Sequence, residues 1–218
     1  MNALDASFLG ALALHHARRG DSAKAKAMLA PTRVEDTRTA YVAGLAAIAT
    51  DAGLSHRRSE PAGRFTLNID GDLLALPDET LAAIKSASEV HVVVDSPGGD
   101  VRAALQILDA AGNRFSKVTI KSASSAAAFL AVLCPGRRII EPAGTIMLHA
   151  PGVCCFGTVD DLRRHADRLA TTTEDLVDRL HRRTGQPRER CAEWLSGGDV
   201  SFTAEQALAA GLVDSVLR

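Results

Sequence analysis

The chain is predicted to adopt an α/β fold with a mainly parallel sheet, and three observations support this. Residues 90–95 (VHVVVD) form an apolar run typical of a strand covered on both faces of a sheet. From Arg64 onward, short apolar runs alternate with amphipathic helical patterns, which indicates repeated β-α-β units. The 218 residues are 46% hydrophobic and 23% charged, as expected for one main globular domain with a small appendage.

The order of elements follows from local signals. Pro77 is a typical first-turn residue, and Thr203 with Gln206 three positions later forms a capping box. Residues 157–184 carry an apolar stripe at helical spacing, which predicts a helix about 40 Å long at 1.5 Å per residue. Such a helix overruns a small domain, so we expect it to pack against another subunit. The predicted strands are 65–69, 90–95, 118–120, 138–140, 145–148 and 212–217, and the other predicted helices are 77–86, 101–113, 187–194, 204–210 and one that follows the serines at 122–125.

The N-terminal part differs in sequence pattern from the rest of the chain. Ala-rich helical patterns cover residues 3–30 and 39–53, and a stretch rich in Ser, Arg, Glu and Pro follows at 53–63. We therefore divide the chain into an N-terminal helical extension with a linker, residues 1–60, and a main domain, residues 64–218.

Charge and cysteine content narrow the functional classes. A net charge of −1 without a Lys/Arg run gives no reason to expect nucleic-acid binding. No apolar run approaches the roughly 18–20 residues that span a bilayer, so no membrane segment is expected. The N-terminus lacks the charge pattern of an export signal, and the four cysteines show no C-x-x-C spacing. These features favour a cytoplasmic protein with free thiols.

A candidate reactive centre is the serine cluster between an apolar strand and an Ala/Leu helix at residues 118–132. A hydroxyl at a helix N-terminus lies where unpaired N–H groups stabilise negative charge, although most such serines are simple N-caps. A serine becomes a nucleophile when an oriented base removes its proton. The candidate base is His149, at the end of an apolar strand, and the candidate acid is Asp199, in a Gly-Gly-Asp turn. An ordinary histidine and an ordinary turn aspartate would look the same.

Several segments resemble, in order, the proteolytic subunit of Clp-type ATP-dependent proteases, within the crotonase-like superfamily. The resemblance covers about residues 65–217 and leaves the first 60 residues unmatched. It implies a crotonase/Clp-protease-like repeated β-α-β core with a long protruding handle helix, here preceded by an extra N-terminal helical segment. The segments that carry it are VVVDSPGGDVRAALQILD, SASSAAAFLAVL, TIMLHAP, FGTVDDL, RRTGQ and SFTAEQALAAGLVD.

The resemblance implies a serine endopeptidase acting on peptides or unfolded proteins. By motif, Ser125 takes the nucleophile position, His149 the base position and Asp199 the acid position. The oxyanion donors would be the backbone N–H groups of Gly99 and Ala126. Peptide-bond hydrolysis through an acyl-enzyme would then need no metal and no organic cofactor.

The resemblance also implies an assembly. In the family, the handle helix packs two rings of subunits against each other, so a homo-oligomeric ring is expected, with an AAA+ unfoldase as a possible partner. The family's N-terminal axial loop, which mediates contact with that unfoldase, is not found here. Lys121, Ser122 and Ala127 depart from the family's usual Gly, Gln and Gly at those positions.

Three alternatives stay open at the level of the sequence. Ser122 or Ser124 would be the nucleophile if the register shifted. A crotonase-type acyl-CoA enzyme would use the same paired N–H groups on a thioester enolate. A catalytically silent ring subunit or scaffold would keep the fold without the chemistry.

Overall fold

A computed structural model describes residues 54–58 and 63–218, which belong to the second of two units into which the chain divides, Ala52–Arg218. The predictions for residues 1–53 and for the boundary of the N-terminal extension lie outside the described residues. Within the segment predicted as a linker, residues 54–58 instead form a strand, whose partner is the first predicted strand. Backbone pairing with a neighbouring strand, which local composition does not reveal, is the reason for this difference.

The described residues form a mixed sheet with helical crossovers. The strands are β1 (Leu54–Arg58), β2 (Arg64–Leu73), β3 (Glu89–Gly99), β4 (Phe115–Ser124), β5 (Arg137–Leu148), β6 (Val200–Thr203) and β7 (Ser215–Val216). The helices are α1 (Asp78–Ser86), α2 (Val101–Ala111), α3 (Ser125–Leu133), α4 (Val159–Thr184), α5 (Arg188–Glu193) and α6 (Ala204–Ala209), with a 3₁₀ turn at Gly112–Arg114.

The strand order in the sheet is β1-β2-β3-β4-β5-β6, and β7 also pairs with β5. Strands β2 to β5 run parallel, joined in turn by α1, α2 and α3, whereas β1 and β6 are antiparallel to their neighbours. This is the repeated β-α-β core expected from the sequence, and the α/β fold class is confirmed. Because parallel strands end at one edge, the residues that follow β3, β4 and β5 meet there.

Several elements differ from the prediction. Strands β2, β3 and β4 are longer than the predicted 65–69, 90–95 and 118–120, and β6 was not predicted. The strands predicted at 138–140 and 145–148 form one strand, β5, because the Glu-Pro-Ala-Gly stretch between them is absorbed where the pairing with β4 shifts register. The strand predicted at 212–217 is limited to β7. The capping box of Thr203 with Gln206 is present at the start of α6.

The core lies between the helices and one face of the sheet. On β3, Val90, Val92 and Val94 are fully buried, while His91 and Val93 on the other face are half-buried. The prediction that β3 is covered on both faces therefore holds for one face, and the other face is only partly covered. Helix α3 packs against β3, β4 and β5, and every residue from Ala126 to Val132 is fully buried. The start of α3 is thus held rigidly against the edge where the parallel strands end.

A buried ion pair fastens β5 to the C-terminal segment. Arg138 is only 4% exposed, and its Nη2 donates to Asp214 Oδ1 at 2.5 Å while its Nη1 donates to the Gly211 carbonyl at 3.0 Å. Burial acts to raise the pKa of Asp214, but the hydrogen bonds and charge of Arg138 outweigh it and hold that pKa below its ordinary value.

We predict that Asp214→Asn lowers the free energy of unfolding at pH 7 by about 2 kcal/mol. Loss of one partner strands the buried Arg138 charge, and partial exposure of Asp214 reduces the penalty from the roughly 3–5 kcal/mol of a fully buried pair. Because the folded-state pKa is lowered, this stability is present above the unfolded pKa of about 4 and is lost as the pH falls through the folded pKa. The difference in urea stability between parent and variant should therefore be constant from pH 7 to about pH 5 and shrink as the pH falls below about 4. The exposed Asp109→Asn is the matched control, and a difference that did not shrink at all below about pH 4 would contradict the prediction.

Candidate active site

Ser125 occupies a strained corner between a strand and a helix. It directly follows β4 and is the first residue of α3, with a φ of 54°. Among the described residues it is the one non-glycine residue with positive φ. Such a conformation costs an L-residue roughly 1–3 kcal/mol and persists where the surroundings enforce it, often at functional sites. The corner presents the Ser125 hydroxyl in the manner of a nucleophile elbow.

His149 contacts the hydroxyl of Ser125. It directly follows β5, and because Ser124 pairs with Met147 in the parallel register, Ser125 continues beside Leu148, the last residue of β5 and the neighbour of His149. The His149 Nε2 lies 2.6 Å from the Ser125 Oγ, which is a short hydrogen bond. The His149 side chain is 34% exposed, so it is accessible from solvent.

Asp199 approaches the other nitrogen of the same imidazole. Val200 pairs with Leu148 in the antiparallel register of β5 and β6, so Asp199 lies opposite His149. The distance from His149 Nδ1 to Asp199 Oδ1 is 3.6 Å, which is an ion-pair distance and slightly longer than a hydrogen bond. Asp199 is 68% exposed, so its position depends on the backbone pairing of β6 with β5 and not on burial of its side chain. The three residues predicted from the sequence are therefore close together in space.

An aromatic contact anchors the segment that carries Asp199. Trp194 follows α5 and is 3% exposed, and its ring lies 5.4 Å from the ring of Phe202 on β6 in an edge-to-face arrangement. Trp194 precedes Asp199 and Phe202 follows it, so the contact between the two rings restrains the segment that carries Asp199. The sequence analysis did not assign Trp194 or Phe202 a role, since their contact depends on the return of the chain into β6.

The Gly98–Gly99 turn lies directly against the Ser125 corner. A Cβ added at Gly98 would be 2.6 Å from both Ser125 Cβ and the Ser124 carbonyl oxygen, and 3.1 Å from the Ala126 nitrogen. A Cβ at Gly99 would be 2.0 Å from the Leu73 carbonyl oxygen. Both glycines have positive φ, 106° and 147° respectively. Glycine is thus required at position 98 for close approach to the start of α3, and at position 99 for close approach to Leu73 of β2.

The other two serines of the cluster do not share the contact with His149. The Ser122 Oγ lies 3.3 Å from the Thr145 Oγ1 on β5. Ser124 occupies the N-cap position of α3, and its side chain makes no capping hydrogen bond. The geometry therefore favours Ser125 over Ser122 and Ser124 as the candidate nucleophile. The buried Ser96, whose Oγ accepts a hydrogen bond from the Gly98 N–H, was not singled out by the sequence analysis, although it opens the Ser-Pro-Gly-Gly motif.

A groove of about 440 Å³ is lined by residues 137, 139 and 215–218, at the start of β5 and next to β7, and it includes none of the three residues above. Across residues 54–58 and 63–218, no group of three or more His, Cys, Asp or Glu side chains could hold a metal ion. In the same part of the chain, no helix is both long enough and apolar enough to cross a membrane.

The fold and the Ser125–His149 contact define an α/β protein of the crotonase-like kind that carries a serine–histidine pair at the edge of its parallel sheet. The model of the Clp protease family matches residues 78–218, and the chain belongs to that family. It is also similar to the ATP-dependent Clp protease proteolytic subunit 1 of Chlamydia caviae, with 36% identity over 131 residues. That similarity covers 57% of this chain and 68% of the relative. The chain is thus a Clp-type proteolytic subunit by family.

We predict that Gly98→Ala disrupts the site. The added methyl would meet backbone atoms and the Ser125 Cβ, and its φ of 106° is strained for alanine. We expect a fall in melting temperature of several degrees and at least a tenfold slower reaction of Ser125 with a fluorophosphonate. The matched control is Gly152→Ala, because a Cβ at Gly152 meets nothing within 4 Å. Equal melting temperatures and labelling rates for both variants would show that the turn does not press on Ser125.

Proposed function

We propose that this chain is a serine endopeptidase that hydrolyses peptides or unfolded proteins through Ser125, His149 and Asp199. The observation that carries the proposal is the 2.6 Å contact of Ser125 Oγ with His149 Nε2 at a strained strand-to-helix corner, in a member of the Clp protease family. A hydroxyl held this way has a base within reach of its proton.

The mechanism follows from the positions of these groups. Ser125 Oγ attacks the scissile carbonyl carbon while its proton passes to His149 Nε2, and a tetrahedral oxyanion forms. His149 then delivers the proton to the leaving amine, which departs and leaves an acyl-enzyme on Ser125. Water then attacks the ester while His149 Nε2 takes its proton, and His149 returns that proton to Ser125 Oγ as the ester bond breaks and the acid is released. Asp199 stabilises the imidazolium and fixes its orientation, which requires the 3.6 Å separation to shorten when substrate binds.

The oxyanion would be stabilised by the backbone N–H groups of Gly99 and Ala126. The Ala126 N–H belongs to the first turn of α3, where N–H groups have no intrahelical acceptor and the helix dipole is positive. The Gly98–Gly99 turn reaches to within contact of that same turn of helix. Donors fixed in advance at this position would stabilise the charge as it develops.

The triad is tested by labelling the full chain with a fluorophosphonate and by turnover of a fluorogenic peptide. We expect the parent to be labelled and Ser125→Ala to be unlabelled. We expect His149→Ala to lose roughly 10⁴-fold or more in kcat, because the hydroxyl then has no base. Asp199→Asn should fall by a large but smaller factor, since this carboxylate is exposed and acts on His149 from 3.6 Å.

The control is Ser122→Ala, which removes a nearby hydroxyl that contacts Thr145 instead of His149. A well-folded parent that neither reacts nor cleaves peptides would reject the peptidase and favour a silent ring or scaffold subunit. Turnover of an acyl-CoA thioester without peptide cleavage would favour the crotonase-type alternative.

We further propose that the chain assembles into a homo-oligomeric ring in which α4 joins subunits, and that an AAA+ unfoldase supplies substrate. Helix α4 has 26 residues, and its buried residues, Leu176, Val177 and Leu180, are all in its C-terminal half. In its N-terminal half, Val159 and Leu162 are 62% and 43% exposed, and Phe156 just before the helix is 59% exposed. An exposed apolar stripe of this kind is suited to a second subunit. The ATP dependence named for the relative is the support for an ATPase partner.

We predict that Leu162→Glu reduces the size of the assembly. A buried carboxylate at a subunit contact costs several kcal/mol unless it is paired, which would separate subunits joined through α4. Sedimentation velocity should show a species of about half the parent mass if two rings meet through this helix. Leu208→Glu is the matched control, because Leu208 on α6 is equally exposed, at 43%. An unchanged mass for Leu162→Glu would remove α4 from the interface.

A further inference from the structure

Ser96 is a buried hydroxyl that contacts the turn beside Ser125. It is 2% exposed and is one of three buried polar or charged residues among those described, with Thr80 and Arg138. Its Oγ accepts a hydrogen bond from the Gly98 N–H at 3.1 Å. A polar side chain buried to this extent is normally retained where its hydrogen bond is needed.

Pro97, Gly98 and Gly99 form the end of β3, and this segment, which contains the Gly98–Gly99 turn, is held from two sides. On one side Gly98 and Gly99 pair with Asp72 and Leu73 of β2, and the Asp100 N–H donates to the Leu73 carbonyl at 2.7 Å. On the other side the contact is the Ser96 hydroxyl on the Gly98 N–H. The first contact is between backbone groups, whereas the second depends on one side chain.

The hydrogen bonds made by the backbone N–H groups of this segment indicate the role of Ser96. Pro97 has no N–H. The Gly98 N–H donates to Ser96, which fixes the orientation of the Pro97–Gly98 peptide at the point where Gly98 lies beside Ser125 and the Ala126 nitrogen. The next amide is the Gly99 N–H, which the proposed mechanism assigns to the oxyanion. A rotation of the Gly98–Gly99 peptide would redirect that donor, and glycines resist such rotation poorly because their backbone is permissive.

We propose that Ser96 is a positioning residue for the oxyanion hole: its hydroxyl holds the Gly98 N–H so that the Gly99 N–H stays directed at the substrate carbonyl beside Ser125. This inference rests on the proposed peptidase function and adds a residue that acts through the turn without touching substrate. Its effect is confined to the transition state, because the charge on the carbonyl oxygen develops there.

The experiment compares the full-length parent with Ser96→Ala, Ser96→Thr and Ser116→Ala on one fluorogenic peptide. Ser116 is the matched control, since its hydroxyl also bonds a backbone group, the Val90 carbonyl at 3.1 Å, but near the start of β4, away from Ser125. For Ser96→Ala we expect kcat to fall roughly 10- to 100-fold with KM within about threefold, which is part of the loss from removing an oxyanion donor. Ser96→Thr, which keeps the hydroxyl, should recover most of kcat, and Ser116→Ala should match the parent.

Two further readouts separate positioning from a general structural effect. Binding of a peptide aldehyde, whose adduct with Ser125 carries an oxyanion-like oxygen, should weaken by the same factor as kcat/KM. The midpoint of the pH–rate profile should not move, because Ser96 does not contact His149. Amide hydrogen exchange of Gly98 should be faster in Ser96→Ala, a result that needs no activity and remains informative if the extra methyl of Thr is not accommodated.

The outcomes divide cleanly. An active parent with Ser96→Ala at parental kcat, or with unchanged exchange at Gly98, overturns the role of Ser96 and leaves the peptidase intact. If Ser96→Ala raises KM while kcat and the affinity for the aldehyde equal those of the parent, Ser96 acts in substrate binding, and this result also overturns the proposal. A folded parent without peptide turnover or fluorophosphonate labelling rejects the peptidase function itself, and the role of Ser96 with it.

Discussion

The pairing register of β5 with its two neighbours is the constraint on which the site depends. Parallel pairing of Ser124 with Met147 brings Ser125 beside the end of β5, and antiparallel pairing of Leu148 with Val200 brings Asp199 opposite His149. A slip of one residue in either ladder would turn a functional side chain to the other face of the sheet. Segments distant along the chain thus meet because backbone hydrogen bonds fix their alignment.

Packing of α3 makes that alignment rigid and supports the strain at Ser125. Small residues over most of its length allow α3 to lie close against three strands, and its interior is fully buried. Well-packed cores resist small displacements, so the helix start cannot relax toward an ordinary conformation without disturbing many contacts. The strained φ of Ser125 is therefore sustained by the burial of the residues that follow it.

The two sides of the site differ in how firmly they are held. The Ser125 side has a buried helix, a pair of glycines pressed against Leu73 and a hydroxyl from Ser96. The Asp199 side is exposed, and Asp199 is preceded by Gly197 and Gly198, where an added Cβ would meet nothing within 4 Å. The open space and the two glycines leave the Asp199 side less constrained than the Ser125 side.

The sequence by itself determined the α/β class, most element positions and the family, and it predicted that Ser125, His149 and Asp199 belong to one site, because apolar periodicity, capping residues and motif order are local signals. It did not determine the union of two predicted strands into β5, the strand at residues 54–58, the clamp of Trp194 on Phe202 or the Ser96–Gly98 hydrogen bond. Those features were decided by tertiary structure, since each depends on which distant backbone or ring lies alongside. The preference for Ser125 over Ser122 and Ser124 rests on both the sequence and the tertiary structure. The sequence motif predicts Ser125, and the strand register brings His149 to within 2.6 Å of its hydroxyl.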